Sequence, residues 1–343
     1  MNTFIKRASS NMRSLAKQSS ILMVAIATSA IAMASASTSA LAQSQAGGKK
    51  SPAKADVTFA LDYVPDGLHA PIYAAQNMGY IDKANLAIEP GGGSSLTIKL
   101  VSEGRAQVGI ADAGSVSVAV AKGAKVKAIA LLLKHTPAVT MVSENSSIKQ
   151  ISDLKGKSIG DFPEASTSVL LPALLRANGL SENDVKFVGM NFSARVPSLQ
   201  AGRVDAIDGY VQEFVTLPNT FRRIIWAENN FNVYGPVLIV NNDFAQQHGD
   251  IVRSILQGFK KGLEVTAAQP RQVAEVLAKA SRGDLDYFEK EIDVLHAFFA
   301  DPASVNMTSE GWTAVQDVMM QFGGQAKKLP EAELFTNEFI EAQ

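Results

Sequence analysis

Between Val57 and Val240 the chain alternates short apolar runs, rich in β-branched residues, with longer stretches of helical period; beyond Asp250 only the helical period remains. The apolar runs predict strands at VTFAL (57–61), LAIE (86–89), VGIA (108–111), VKAIALLL (126–133), KSIG (157–160), VKFVG (185–189), DAIDGY (205–210) and PVLIV (236–240). Helices are expected to begin near Pro71, Ser95, Ser115, Ser166 and Arg195. Amphipathic helices follow over 250–268, 270–280, 285–299 and 309–322, with breaks at Pro270 and Gly283. Strand and helix in alternation predict an α/β protein with mostly parallel sheets. Polar, turn-rich stretches at 143–147 and 227–235 bracket a middle block that carries its own βα units. That arrangement predicts two lobes, each a mostly parallel sheet flanked by helices, with a ligand cleft between them. Residues 56–143 would begin the first lobe, 144–234 form the second, and 235–343 return to the first with the C-terminal helices. Hinge motion is expected at the two crossings. A single doubly wound sheet with two surface loops is the alternative.

The first residues change the picture of where the chain works. Lys6, Arg7, Arg13 and Lys17 precede an apolar, Ala-rich run from Ile21 to Ala34, and Ala40-Leu41-Ala42 has the small-x-small form of a cleavage site. The apolar run is shorter than the ~20 residues that span a bilayer. Residues 1–42 are therefore expected to be a cleaved signal peptide and 43–55 a disordered lead-in, leaving a periplasmic protein in a Gram-negative host. Removing 42 residues that carry four cations and no acid from a chain of 343 with net charge −1 leaves 301 residues at −5. Cysteine is absent, which rules out a disulfide framework and a lipidated-cysteine anchor. No basic face with interleaved aromatics appears, so nucleic acid is not an expected partner. The expected state is a monomer.

Candidate chemistry gathers at strand ends, where open α/β sheets hold small ligands. LDYVPDGLHAPIYAAQNMGY (61–80) places Asp62, Tyr63, Asp66, His69 and Tyr73 at a strand-to-helix junction, where aromatic faces and polar tips suit a flat ligand. Gly91-Gly92-Gly93-Ser94-Ser95 opens a helix, so Gly93 and Ser94 can present free backbone N–H groups; the stretch lacks the Gly-Lys-Ser/Thr ending of a nucleotide loop. Ser115, Ser166 and Thr167 stand at further helix starts, where N-capping is the plain alternative to ligand contact. VDAIDGYVQEF (204–214) brings Asp208, Tyr210 and Glu213 to a strand end, where a carboxylate would accept from an amino group or a protonated ring nitrogen. Asn191 and Tyr234 complete the candidate set. Acids outnumber bases, with Arg195 the main exception, which disfavours a strongly anionic ligand. The four histidines have no metal-type spacing, so neither a zinc site nor any cofactor is expected.

On these residues the stretch from Val57 to Val240 resembles the solute-binding proteins of ABC importers, in the group that shares its fold with thiamine-pyrimidine synthases. That group includes binders of pyrimidine thiamine precursors, riboflavin, alkanesulfonates and taurine. LDYVPDGLHAPIYAAQNMGYIDKANLAIE resembles the group's opening, in which a strand ends in D-W-x-P-N before an N-x-H-x-G-x-Y-x-A stretch. SEGRAQVGIADAGSVSVAVAKG, LKGKSIG, the hydroxyls at 166–168 and AGRVDAIDGYVQE follow in the group's order. The resemblance implies the type II periplasmic binding protein fold, capture of a small molecule, and delivery to an inner-membrane permease with a cytoplasmic ATPase. His69, Tyr73 and Glu213 match positions lining the pyrimidine site, which implies an aminopyrimidine or another flat nitrogen heterocycle. Tyr63 replaces the Trp of that branch, and Asp66-Gly67 its Asn-rich turn. Sulfonate, taurine, riboflavin or aromatic-acid binding within the same family are the alternatives, as is a sensor that docks on a receptor. A pyrimidine synthase, in which the histidine equivalent to His69 is a reactant, is disfavoured by export and by the missing cysteine-rich motif. No Ser-His-Asp or paired-carboxylate spacing points to a hydrolase.

Overall fold

Alternation sets the register of the first strand: Val57 and Phe59 are buried, Asp56 is exposed and Thr58 half-buried. The computed structural model describes residues 53–340 apart from Glu164 and Asn219, so the expected signal peptide and most of the lead-in lie outside the described residues. Ala55, assigned to the lead-in, already belongs to the first strand.

The strands are β1 (Ala55–Ala60), β2 (Ala84–Glu89), β3 (Val108–Asp112), β4 (Val126–Leu131), β5 (Ala138–Ser143), β6 (Ser158–Asp161), β7 (Lys186–Gly189), β8 (Ala206–Tyr210), β9 (Phe221–Ile225) and β10 (Pro236–Asn241). The helices are α1 (Ala70–Asn77), α2 (Ser94–Ser102), α3 (Ala113–Ala121), α4 (Ser166–Ala177), α5 (Arg195–Gln200), α6 (Asn242–Gln247), α7 (Gly249–Ala268), α8 (Pro270–Ser281), α9 (Leu285–Leu295), α10 (Ser309–Gln321) and α11 (Glu331–Leu334).

Two five-stranded sheets result, ordered β2-β1-β3-β10-β4 and β7-β6-β8-β5-β9. Both are mixed, and the odd strand has a physical origin. Most strands run toward the cleft between the lobes. A chain arriving from the other lobe enters at the cleft, so its first strand must run the other way. β10 starts with Pro236 opposite Asp112, at the end of β3, and lies antiparallel to β3 and β4. β5 starts with Ala138 opposite Tyr210, at the end of β8, and lies antiparallel to β8 and β9.

β5 and β9 are strands the apolar pattern does not single out. β9 is an edge strand whose Arg222 and Arg223 break its apolar run, as edge strands commonly do. Because β5 pairs in the second sheet, the first crossing precedes Ala138; SENSS (143–147) is a turn inside the second lobe, and the expected boundary at 143/144 falls too late. The two crossing segments lie side by side. Thr136 N–H donates to Val233 O at 3.0 Å, and Leu132 and Leu133 N–H both donate to Pro236 O at 3.1 Å.

The helices after β10 pack against the first lobe. α7 buries Val252, Ile255, Leu256, Phe259 and Leu263 along one face, against α1. Each such side chain contributes roughly 1.5–3 kcal/mol on burial. α8 opens with Pro270 and closes on Arg282 in the left-handed region, φ 60°. α9 stops at Leu295 rather than 299 because the next residues bond elsewhere: Lys134 N–H donates to Phe298 O, and Ala300 N–H to Leu132 O.

Candidate functional site

The loops that leave the strands toward the interlobe space build a cleft with two walls. Asp62, Tyr63, Asp66 and Leu68, after β1, form the first-lobe wall with Gly93, after β2. Facing them, Phe162, Ala165, Ser166 and Thr167 follow β6, Phe192 follows β7, and Tyr210, Gln212 and Glu213 close β8. The empty space between the walls is a slot of about 430 Å³, partly open to solvent.

Local structure explains each wall. Asp66 caps the short turn Gly67–His69, accepting from Leu68 N–H at 2.9 Å. Gly67 N–H donates to Glu291 Oε2 of α9 at 2.8 Å. A Cβ on Gly67 would fall 2.5 Å from the Glu291 Cβ, so only glycine lets α9 approach the loop. Gly93 has φ 113°, which places its N–H on Asp62 O (2.6 Å) before α2 begins.

Four rings line the slot, Tyr63, Phe162, Phe192 and Tyr210, and the first three form a cluster. Tyr63 and Phe192 lie 4.7 Å apart between centroids, and Phe162 stands edge-on to both at 6.2 and 6.1 Å. The Arg195 guanidinium covers the Phe192 ring at 4.3 Å. Burial, with Glu213 nearby, pushes the Tyr63 phenol up to about 12, so it remains a hydrogen-bond donor at neutral pH.

Both cations beside the slot are committed to carboxylates. Arg195, 3% exposed, meets Glu213 Oε2 at 2.5 Å and also donates to Asp208 O. His69 is buried behind the first wall, its Nε2 2.8 Å from Asp62 and its Nδ1 2.9 Å from Asp66 Oδ1. Burial alone would lower the imidazole, but Asp66 and Asp62 outweigh it and hold the group up at about 10. Burial raises the Glu213 carboxyl against the pull of Arg195. It lifts Asp112 to about 7, opposed by the N–H groups of Gly114 and Ser115, and Asp208 to about 6, opposed by Thr167 and Arg195.

Three side-chain hydrogen bonds join the walls, beside the ring contacts of Tyr63 with Phe162 and Phe192. Ser94 Oγ lies 2.7 Å from Ser166 Oγ, the Tyr210 hydroxyl donates to Asp112 Oδ2 at 3.3 Å, and Gln212 Nε2 donates to Asp66 Oδ2 at 3.1 Å. The structure is thus a closed form.

Of the residues expected from sequence, Asp62, Tyr63, Asp66, Gly93, Ser166, Thr167, Tyr210 and Glu213 line the slot. Ser94 belongs to the interlobe contact beneath it. His69 supports the wall from behind. Tyr73 does not reach the cleft: it is buried in α1, which packs on α7 and α8. Ser115 sits in the first turn of α3, which Asp112 caps, and its hydroxyl is outside the lining. Asp208 is buried under the second wall, Asn191 is exposed beside it, and Tyr234 bonds Thr308 before α10.

Sequence reasoning missed Phe162, Phe192 and Gln212. Each had a signal: both phenylalanines come within three residues of a strand end, and Gln212 lies between two residues already singled out.

Fold and cleft together define a two-lobed binding-protein architecture with its site between the lobes. The periplasmic aliphatic sulphonate binding protein SsuA of Escherichia coli has this fold, with a TM-score of 0.67 and 18% identity over 84% of this chain and 100% of its own. The family model described as NMT1/THI5 like matches residues 67–273, and the chain belongs to that family. The riboflavin-binding protein RibY of Chloroflexus aurantiacus is 23% identical, the match covering 84% of this chain and 87% of that protein. The 4-amino-5-hydroxymethyl-2-methylpyrimidine phosphate synthase of Legionella pneumophila is 24% identical over 67% of this chain and 75% of its own. A Haemophilus influenzae protein named for thiamine biosynthesis is 30% identical over 47% of this chain; the match spans about half of that protein, 52%.

Proposed function

We propose that this chain is the capture component of an ABC importer. Exported to the periplasm, it holds a small, flat, non-anionic nitrogen heterocycle between its lobes, a thiamine pyrimidine precursor or a ring of similar chemistry. It then docks on an inner-membrane permease driven by a cytoplasmic ATPase. The observation that carries this reading is the make-up of the slot: four aromatic rings drawn from both lobes, with no Lys or Arg among the described lining residues. Aromatic faces suit a flat ring. The two neighbouring cations are neutralised by their own carboxylates, which leaves little to attract an anion. Relatives named for riboflavin and for an aminopyrimidine phosphate support the same ligand class.

Capture rather than synthesis is supported by His69. Both ring nitrogens are held by carboxylates and the ring is 1% exposed, so it offers no free lone pair to a substrate. Closing on the ligand would shift the lobes toward the form that docks, by contacts available only when both walls meet.

A second reading, a ligand with a sulfonate or carboxylate head, has one observation in its favour. The N-termini of α2 and α4 meet at the cleft, where the Ser94 and Ser166 hydroxyls touch, and helix N-termini attract anions.

Native mass spectrometry after exposure to a mixture of pyrimidines, flavins, alkanesulfonates and aromatic acids separates these readings. A bound heterocycle released unchanged on unfolding is the expected result. Retention of sulfonates alone, or a mass change on the His69 peptide, contradicts it.

A further inference from the structure

Gln212 Oε1, a buried acceptor at the second wall, has no hydrogen-bond partner among the described residues. Gln212 lines the slot. It is 1% exposed, out of reach of bulk solvent. Buried polar groups are almost always paired, so an acceptor left unpaired in a ligand cleft is free to take a donor from the ligand.

The orientation of Gln212 is fixed. Its other amide atom lies 3.1 Å from Asp66 Oδ2, and an ionised carboxylate only accepts, so the nitrogen faces Asp66. The unpaired atom is therefore the carbonyl oxygen, an acceptor without charge. Glu213, the acid one residue on, is already engaged. Its Oε1 accepts from Tyr210 N–H at 3.0 Å and its Oε2 from Arg195 at 2.5 Å.

We infer that Gln212 is the specificity-determining residue of the cleft, its amide oxygen reading an exocyclic N–H donor on a neutral heterocycle, with Asp66 holding the amide and Glu213 acting only as a positioning residue. This inference rests on the heterocycle reading and adds to it the polar edge that the ligand must carry. A ring with an amino group at that edge pairs the Gln212 oxygen. A ring with a methyl group there leaves the oxygen buried and unpaired, and a site built around a hydrogen bond rejects such an analogue.

The test is calorimetry of the full mature chain with 4-aminopyrimidine and 4-methylpyrimidine as probes, on wild type, Gln212→Met and Glu213→Gln. Wild type is expected to favour the amino probe by about tenfold or more. Gln212→Met, close in size but without the acceptor, should abolish that preference by weakening the amino probe alone. Glu213→Gln should move both probes together. Gln212→Asn, which shortens the amide, should also lose the preference and serves if the Met variant does not fold. A preference that survives in both Gln212 variants, or that disappears only in Glu213→Gln, overturns the assignment while leaving the heterocycle reading in place. Binding of neither pyrimidine to wild type overturns that reading, and the assignment with it.

Discussion

At the residue scale the site turns on how buried charge is neutralised. His69 lies between Asp62 and Asp66, and its proton is held up to about 10 against an ordinary 6.5. A group that binds its proton more tightly when folded contributes stability that is fully present below the unfolded value and is lost as pH rises through the folded one. Asp112, raised from 3.8 to about 7, has the same sign over a more acidic window. Thermal stability should therefore fall steadily from pH 6 to pH 10. His69→Gln should be less stable at pH 6 and should flatten the curve above pH 7. Scanning fluorimetry across that range checks both, and a melting temperature that rises with pH would refute the assignment of charge.

At the element scale the cleft depends on loops that follow strands and on one helix that presses on them. α9 packs on the turn Gly67–His69 from the first lobe and on the turn Val211–Phe214 from the second, and so touches both walls of the cleft. Gly67→Ala should displace α9 from the loop and destabilise the chain by about 1–3 kcal/mol, the usual range for overpacking. Urea unfolding measures that loss, and an unchanged midpoint would contradict the close approach. Much of this level was legible in the sequence. The alternation of apolar runs located most strands, and helix starts at Pro71 and Pro270 followed from proline at the first turn. β5 and β9 were not legible because pairing rather than local pattern makes them strands: AVTMVS is buried on both faces, and FRRII carries edge charges. The misplaced first crossing followed from missing β5. Of the expected residues, eight line the slot, at or after strand ends. Tyr73, one helical turn further on, was expected on the wall but turns into the core. The Phe162 and Phe192 rings were missed because single aromatics just past a strand carry no periodic signal. Gln212 was missed because an uncharged amide beside the carboxylate of Glu213 carries no distinctive sequence signal.

At the scale of the whole molecule, two mixed sheets are joined by paired crossing segments, and the walls they carry meet through Ser94–Ser166, Tyr210–Asp112 and Gln212–Asp66. None of these contacts belongs to one lobe alone, so each favours the closed form over the open one. A ligand that pairs the Gln212 oxygen and fills the aromatic slot adds to the same bias. The central claim is that this bias serves a flat, non-anionic nitrogen heterocycle. The most direct measurement is a calorimetric titration of the protein with an aminopyrimidine and, separately, with taurine. The account predicts a dissociation constant of about 1 μM or tighter, near −8 kcal/mol, for the aminopyrimidine and no measurable heat for taurine. Tight binding of taurine with no binding of the aminopyrimidine would contradict it.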